Sequence, residues 1–67
     1  MTHFGINIYN MWYKTSEKLP PENMLVDTKI DDSNGVRNEQ QMSRSKNLWF
    51  AGGMYVYYTP THWKYID

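Results

Sequence analysis

The stretch that decides the fold reads Met54-Tyr-Val-Tyr-Tyr-Thr-Pro-Thr-His-Trp-Lys-Tyr65. Before Pro60 it alternates between two sets of β-forming side chains, which predicts a strand with two different faces. Pro60 lacks an N–H group and fixes φ, so we expect the strand to be interrupted there. The alternation resumes at Trp63 and Tyr65. Met54, Val56 and Tyr58 point to one side of this strand, and Tyr55, Tyr57 and Thr59 point to the other.

Aromatic residues are the unusual feature of the composition. The chain has 67 residues and contains 3 tryptophans, 6 tyrosines and 2 phenylalanines. Most of them lie in the last third, where Trp49 and Phe50 precede the deciding stretch. Because a chain this short has little interior, some rings are expected at the surface, where exposed aromatic patches mark interfaces. Tyr55 and Tyr57 are the candidates, as an outward stripe or as a second small core beneath residues 37–47.

Further strands and turns are predicted on both sides of this stretch. Met24–Asp31 reads as a strand with Met24, Val26, Thr28 and Ile30 on one face. Asp32–Gly35 contains Asn-Gly, which favours a type I′ hairpin turn. Residues 36–47 are polar and form either a long, weakly packed strand or a mobile connection. Leu48–Ala51 is a short strand that Gly52-Gly53 links to the next one.

The N-terminal part of the chain is less regular. Residues 1–11 alternate loosely and indicate an edge strand, or an arm that pairs with another copy. Between Trp12 and Pro21 we expect an irregular segment that places Trp12 and Leu19 on the core, with at most one helical turn ended by Pro20. Together these elements predict a mainly β single domain over residues 1–67, a small antiparallel meander or partly open barrel of four or five short strands.

Composition and motifs argue against several function classes. Seven basic residues balance seven acidic ones, whereas a nucleic-acid-binding protein normally carries a basic excess. There is no cysteine, no apolar run long enough to cross a bilayer, and no signal-peptide pattern at the N-terminus. Motifs for acyl transfer, phosphate binding and metal ligation are missing, so we expect no enzyme activity, no cofactor and no metal. His62 is expected to be a structural hydrogen bonder in preference to a general base.

Three pieces of the chain together resemble a family of short, uncharacterised phage and prophage proteins, a domain of unknown function. These pieces are Trp12 with Leu19-Pro20, the strand Met24-Leu25-Val26, and the Thr-His-Trp signature within residues 59–63. The resemblance covers residues 12–66, and Asp67 ends the chain where members continue into a Leu-Pro tail. It implies phage origin and a bacterial host cytoplasm, and it brings no known activity. The expected structural residues are Trp12, Leu19, Pro20, Trp49, His62 and Trp63.

These observations predict that the chain is a non-enzymatic binding protein that inhibits a host defence or regulatory protein. The partner, a host bacterial protein or a second copy of the chain, would meet Tyr55 and Tyr57 together with Arg37, Arg44 and Lys46. An alternative is an oligomer that sequesters a nucleotide, with rings stacked on the base and Arg44 or Lys46 on phosphate. A third is weak binding of single-stranded nucleic acid, and a virion component is also left open.

Overall fold

The computed structural model describes residues 8–67 and is mainly β. Six antiparallel strands form one open sheet, one strand more than the sequence predicts. The sequence predicts a strand over residues 1–11, but the described part of this segment contains a 3-10 turn, Ile8–Asn10. Residues 1–7 of the predicted strand lie outside the described residues. The strands are β1 (Tyr13–Lys14), β2 (Val26–Asp32), β3 (Gly35–Ser45), β4 (Leu48–Ala51), β5 (Met54–Val56) and β6 (His62–Tyr65).

The sheet order is β1-β6-β2-β3-β4-β5. Strands β2 to β5 form a meander, in which each strand pairs with the next along the chain. The chain then returns across the sheet, so that β6 lies between β1 and β2 and pairs with both. This return leaves β1 at one edge of the open sheet and β5 at the other.

The hairpin between β2 and β3 lies where the sequence predicts it, but its turn geometry differs. Type I′ requires positive φ at both central residues, whereas Gly35, with φ 101°, is the residue of this turn with positive φ. Asp32 pairs with Gly35 across the ladder, and its Oδ1 accepts a hydrogen bond of 2.9 Å from the N–H of Asn34. The aspartate before the turn therefore stabilises a different two-residue turn, in which Gly35 after the two central residues supplies the positive φ.

The polar segment after this turn is a strand, which settles the alternative that the sequence leaves open. β3 pairs with β2 as far as Met42 and with β4 from Ser43 onward. Its one irregularity is a bulge opposite Lys29, where Asn38 adopts φ 56°. Thr28 Oγ1 donates a hydrogen bond of 2.6 Å to the Gln40 carbonyl beside this bulge. Ladder hydrogen bonds and the buried Met42 hold the strand in place despite its polar composition.

The core lies on one face of the sheet, here called the core face. Its fully buried apolar residues are Val26, Met42, Trp49 and Trp63. The Trp63 ring lies 4.9 Å from the ring of Tyr13, and its Nε1–H donates a 2.8 Å hydrogen bond to the Lys18 carbonyl. Pro20 and Pro60 are also fully buried. The predicted core parity of Val26, Thr28 and Trp63 is confirmed.

Several expected core residues lie elsewhere. Tyr13, not Trp12, pairs with Trp63, so alternation turns Trp12 to the opposite, outer face of the sheet. There the ammonium groups of Lys29 and Lys64 lie 4.2 and 5.1 Å from its ring. The prediction that Leu19 packs on the core is wrong, because its side chain is 48% exposed. Met54 lies on the same side of β5 as the partly buried Val56, but its own side chain is 72% exposed.

Candidate binding surface

The β4–β5 hairpin presents Phe50 and Tyr55 on the outer face, whereas Trp49 is buried on the core face. Gly52 and Gly53 adopt φ 57° and 77°, the pair of positive angles that a type I′ turn requires. This two-residue turn fixes the register, so that Phe50 lies opposite Tyr55. Their ring centroids are 6.1 Å apart in an edge-to-face arrangement. The local sequence therefore determines which rings share the outer face.

Four side chains form what we call the outer aromatic patch: Leu48, Phe50, Tyr55 and Tyr57. Tyr55 is 49% exposed and Tyr57 is 91% exposed. The rings of the two tyrosines contact each other edge to face, with centroids 5.2 Å apart. Such exposure excludes the alternative in which Tyr55 and Tyr57 form a second small core beneath residues 37–47. The predicted strand over residues 54–59 ends earlier, at Val56, and Tyr57 lies in the bend that follows.

Arg37, a candidate partner contact, is bonded within its own hairpin. Its Nη1 and Nη2 donate to the two carboxylate oxygens of Asp32 at 2.8 and 3.1 Å, and Nη1 also donates to the Gly35 carbonyl. The Arg37 hydrogen bond, aided by the Asn34 N–H, lowers the pKa of Asp32, and the same ion pair raises the pKa of Arg37. Arg37 thus stabilises the β2–β3 turn, at a distance along the sheet from the outer aromatic patch.

Arg44 is also committed to internal contacts. Its Nε and Nη2 donate to the Pro20 carbonyl at 3.1 and 2.6 Å, and Nη1 donates to the Lys46 carbonyl at 2.7 Å. The carboxylate of Glu22 lies 3.6 Å from the same guanidinium. Arg44 therefore ties the segment before β2 to the β3–β4 turn. Lys46 is exposed in that turn and has φ 56°.

His62 contacts a neighbouring side chain, as the sequence leads us to expect. Its Nδ1 and the Thr61 hydroxyl oxygen share a hydrogen bond of 2.7 Å. The same hydroxyl oxygen accepts from the Asp31 N–H at 2.8 Å, so the ring is linked to the β2 backbone. This arrangement positions the β6 strand beside β2.

A polar groove that sequence reasoning missed lies on the outer face, at the other end of the sheet. Its volume is about 390 Å³, and its walls include Trp12, Asp27, Glu39, Gln41 and Lys64. In the sequence, the alternation of charged residues along β2 indicated a polar face of the sheet. That alternation could not show that Trp12 lies on the same face. The groove and the outer aromatic patch are separate surfaces.

A more apolar recess of about 400 Å³ lies between the turn after β1 and the chain leading into β6. Leu19 and Pro60 line it together with Thr15, Ser16, Thr59 and Thr61. The Thr15 hydroxyl is buried and has no hydrogen-bond partner within the described part of the chain. Leu19, expected in the core, instead forms a wall of this recess.

No protein-family model matches the chain, and no curated protein or solved structure matches it. The resemblance to phage proteins therefore stays a prediction. Between residues 8 and 67, no three histidine or carboxylate side chains are grouped as metal ligands. No helix within those residues is long and apolar enough to cross a membrane.

Proposed function

We propose that this protein is a non-enzymatic binding protein that engages another protein through the outer aromatic patch. The observation that carries the proposal is the exposure of two contacting tyrosines, Tyr55 at 49% on β5 and Tyr57 at 91% in the bend that follows. Tyrosine offers a large contact area and a polar tip and loses little conformational entropy on binding. Rings of this kind are enriched among the residues that dominate binding energies.

The charge pattern supports a weakly charged partner surface. Residues 47–61, which include the whole outer aromatic patch, contain no charged residue. The centres of protein interfaces are depleted in charged residues in the same way. Three basic residues were expected to contact a partner. Arg37 and Arg44 are bonded internally, so Lys46, which is exposed, is the one of the three that would contact a partner at the rim of the patch.

The class of partner follows from the resemblance alone. Similarity to phage proteins at Trp12, Leu19-Pro20 and residues 59–63 favours a bacterial defence or regulatory protein, met in the host cytoplasm. The nucleotide-sequestering alternative has less support, because the guanidinium of Arg44 already makes three hydrogen bonds to carbonyl groups. A phosphate would have to replace these bonds before it could gain from the contact.

Affinity capture from bacterial extract tests the proposal with a matched pair of variants. Tyr57→Ser removes the most exposed ring and is not expected to affect folding, because the ring is almost entirely in solvent. Leu19→Ser removes an apolar side chain that is 48% exposed in the separate recess and serves as the control. We expect the wild type and Leu19→Ser to retain the same bound protein and Tyr57→Ser to lose it.

The captured protein is then purified and titrated with each variant by calorimetry. A tyrosine at the centre of an interface contributes about 2 kcal/mol or more, so Tyr57→Ser should weaken the affinity by roughly 30-fold or more. Equal affinities for Tyr57→Ser and the wild type would overturn the assignment of the outer aromatic patch.

A further inference from the structure

We infer that β5 pairs with β5 of a second copy, in antiparallel orientation about a two-fold axis at Tyr55. The resulting dimer would join two six-stranded sheets edge to edge and fuse their outer aromatic patches into one surface. This dimer would contain the outer aromatic patch, the surface to which the proposed function assigns partner binding. It is tested on the purified protein alone, so that its failure is distinct from the failure to find a partner protein.

Backbone geometry leaves the edge at Tyr55 open. A two-residue turn makes the flanking residues, Ala51 and Met54, a hydrogen-bonded pair. The next pair, Phe50 and Tyr55, is then of the non-hydrogen-bonded type, so Tyr55 directs its N–H and C=O groups away from β4. Because β5 is the edge strand of the sheet formed by residues 8–67, these groups face away from that sheet, toward the position of a further strand.

Within Met54–Val56 the edge strand has no charged residue, proline or bulge to prevent strand pairing, and its three-residue length limits the number of bonds that a second strand can make. Proteins protect exposed edges with charged residues, prolines or bulges. The opposite edge strand, β1, carries Lys14 and is only two residues long. By contrast, β5 reads Met-Tyr-Val within the charge-free residues 47–61. Antiparallel pairing about a two-fold axis places identical residues opposite each other at the axis, and here it brings no like charges together.

The register about Tyr55 explains two local features. It places Met54 opposite Val56 of the second copy, so that the 72%-exposed Met54 gains an apolar neighbour. It also brings Tyr57, in the bend after β5, beside Gly53 in the turn of the second copy. A Cβ built on Gly53 would meet no atom within 4 Å, so there is open space above this glycine. The exposed Tyr57 ring can occupy that space.

On the outer face, the two copies would form a row of four rings. Phe50 and Tyr55 already contact each other in each copy. At the axis, the two Tyr55 side chains become direct cross-strand neighbours, about 5.5 Å apart at their Cα atoms. The dimer thus doubles the area of the outer aromatic patch without moving any strand.

The surface area buried between the two copies sets the expected strength of the dimer. A fully buried aromatic side chain contributes about 150–250 Å², so Tyr55, Tyr57 and Met54 together supply well under the roughly 800 Å² per partner of a standard interface. We therefore expect a weak dimer, with a dissociation constant between about 10 μM and 1 mM.

Analytical ultracentrifugation of the 67-residue protein, from tens of micromolar to low millimolar concentration, tests the pairing. With increasing concentration, the average mass of the wild type should rise from that of one chain toward that of two chains. Tyr55→Lys and Tyr55→Glu should each stay monomeric, because each places like charges opposite one another at the axis. An equimolar mixture of the two variants should dimerise again, and Leu19→Lys, altered at a distant exposed site, should behave as the wild type.

A second measurement needs no substitution. Hydrogen exchange at the Tyr55 amide should slow as the wild-type concentration rises, whereas exchange at Met54, already bonded to β4, should change little. A constant mass of one chain for the wild type would overturn the inference. Dimers of Tyr55→Lys as strong as those of the wild type, or Tyr55 exchange that is independent of concentration, would overturn it as well.

Discussion

Replacing Trp63 by alanine should bring the domain close to unfolding. The side chain is fully buried, contacts the rings of both Tyr13 and Tyr65, and donates a hydrogen bond to the Lys18 carbonyl. Truncating a buried tryptophan costs about 3–5 kcal/mol. A domain of 67 residues at about 0.05–0.15 kcal/mol per residue has only about 3–10 kcal/mol in total. The alanine variant should therefore be largely unfolded or melt far below the parent.

Urea and thermal unfolding followed by far-UV circular dichroism measure this effect. Trp63→Phe keeps a ring and loses the indole N–H, so a smaller cost of about 1–3 kcal/mol is expected, with a drop of about 4–8 °C in Tm for each kcal/mol. Trp12→Ala is the matched control, because this half-exposed tryptophan lies on the outer face and should cost only about 0.5–2 kcal/mol. The assignment of the core face would be refuted if the Trp63→Ala protein melts like the parent. It would also be refuted if Trp12→Ala loses more stability than Trp63→Ala.

Substitutions at three positions probe the turns and the β3 bulge. Lys46 has φ 56°, so Lys46→Gly should raise the free energy of unfolding by about 0.5–1 kcal/mol, and a lower urea midpoint would contradict this. Asn38 also has φ 56°, at the β3 bulge, so Asn38→Gly should be nearly neutral and Asn38→Val should cost about 1–2 kcal/mol in the same assay. Arg37→Met should return the lowered pKa of Asp32 toward its ordinary value in an NMR titration. Because the folded-state pKa of Asp32 lies below the unfolded one, its contribution to stability is present above the unfolded pKa and is lost as pH falls through the folded pKa. An unchanged Asp32 pKa in Arg37→Met would show that the ion pair is not its cause.

Local patterns predicted the strands and turns whose determinants lie close together in the sequence. Alternation placed Val26 and Thr28 on the core face, and Gly52-Gly53 marked a tight turn, which the structure shows to be of type I′. At the β2–β3 turn, the Asn-Gly pair gave the position but not the geometry. There the Asp32 side chain binds the Asn34 N–H and favours a different turn type.

Pairings between distant segments were not predictable from periodicity. The return of β6 to a place between β1 and β2 depends on contacts such as that between Trp63 and Thr28, far apart in the chain. The orientation of Trp12 depends on the register of a two-residue strand, which is too short to leave a pattern. Shifting that register by one residue exchanges the faces, and this is the reason that Trp12 was wrongly placed in the core.

The candidate surface was half predictable. Strand parity predicted that Tyr55 and Tyr57 share a side, but it could not say whether that side is covered. The structure leaves it open because residues 36–45 continue the sheet as β3 and do not fold over it. The internal bonds of Arg44 to the Pro20 carbonyl, 24 residues away, had no sequence signal. For Arg37, the nearby Asp32 before the turn was a signal that could have been used.

Photo-CIDNP NMR, which detects solvent-accessible tyrosine and tryptophan rings, tests the central claim most directly. In dilute free protein, Tyr57 should give a strong signal and Tyr55 a clear one, whereas the buried Trp49 and Trp63 should give almost none. In the complex with the protein captured from bacterial extract, the Tyr57 and Tyr55 signals should disappear. A Tyr57 signal that persists unchanged in the complex would contradict the claim that the outer aromatic patch is the binding surface.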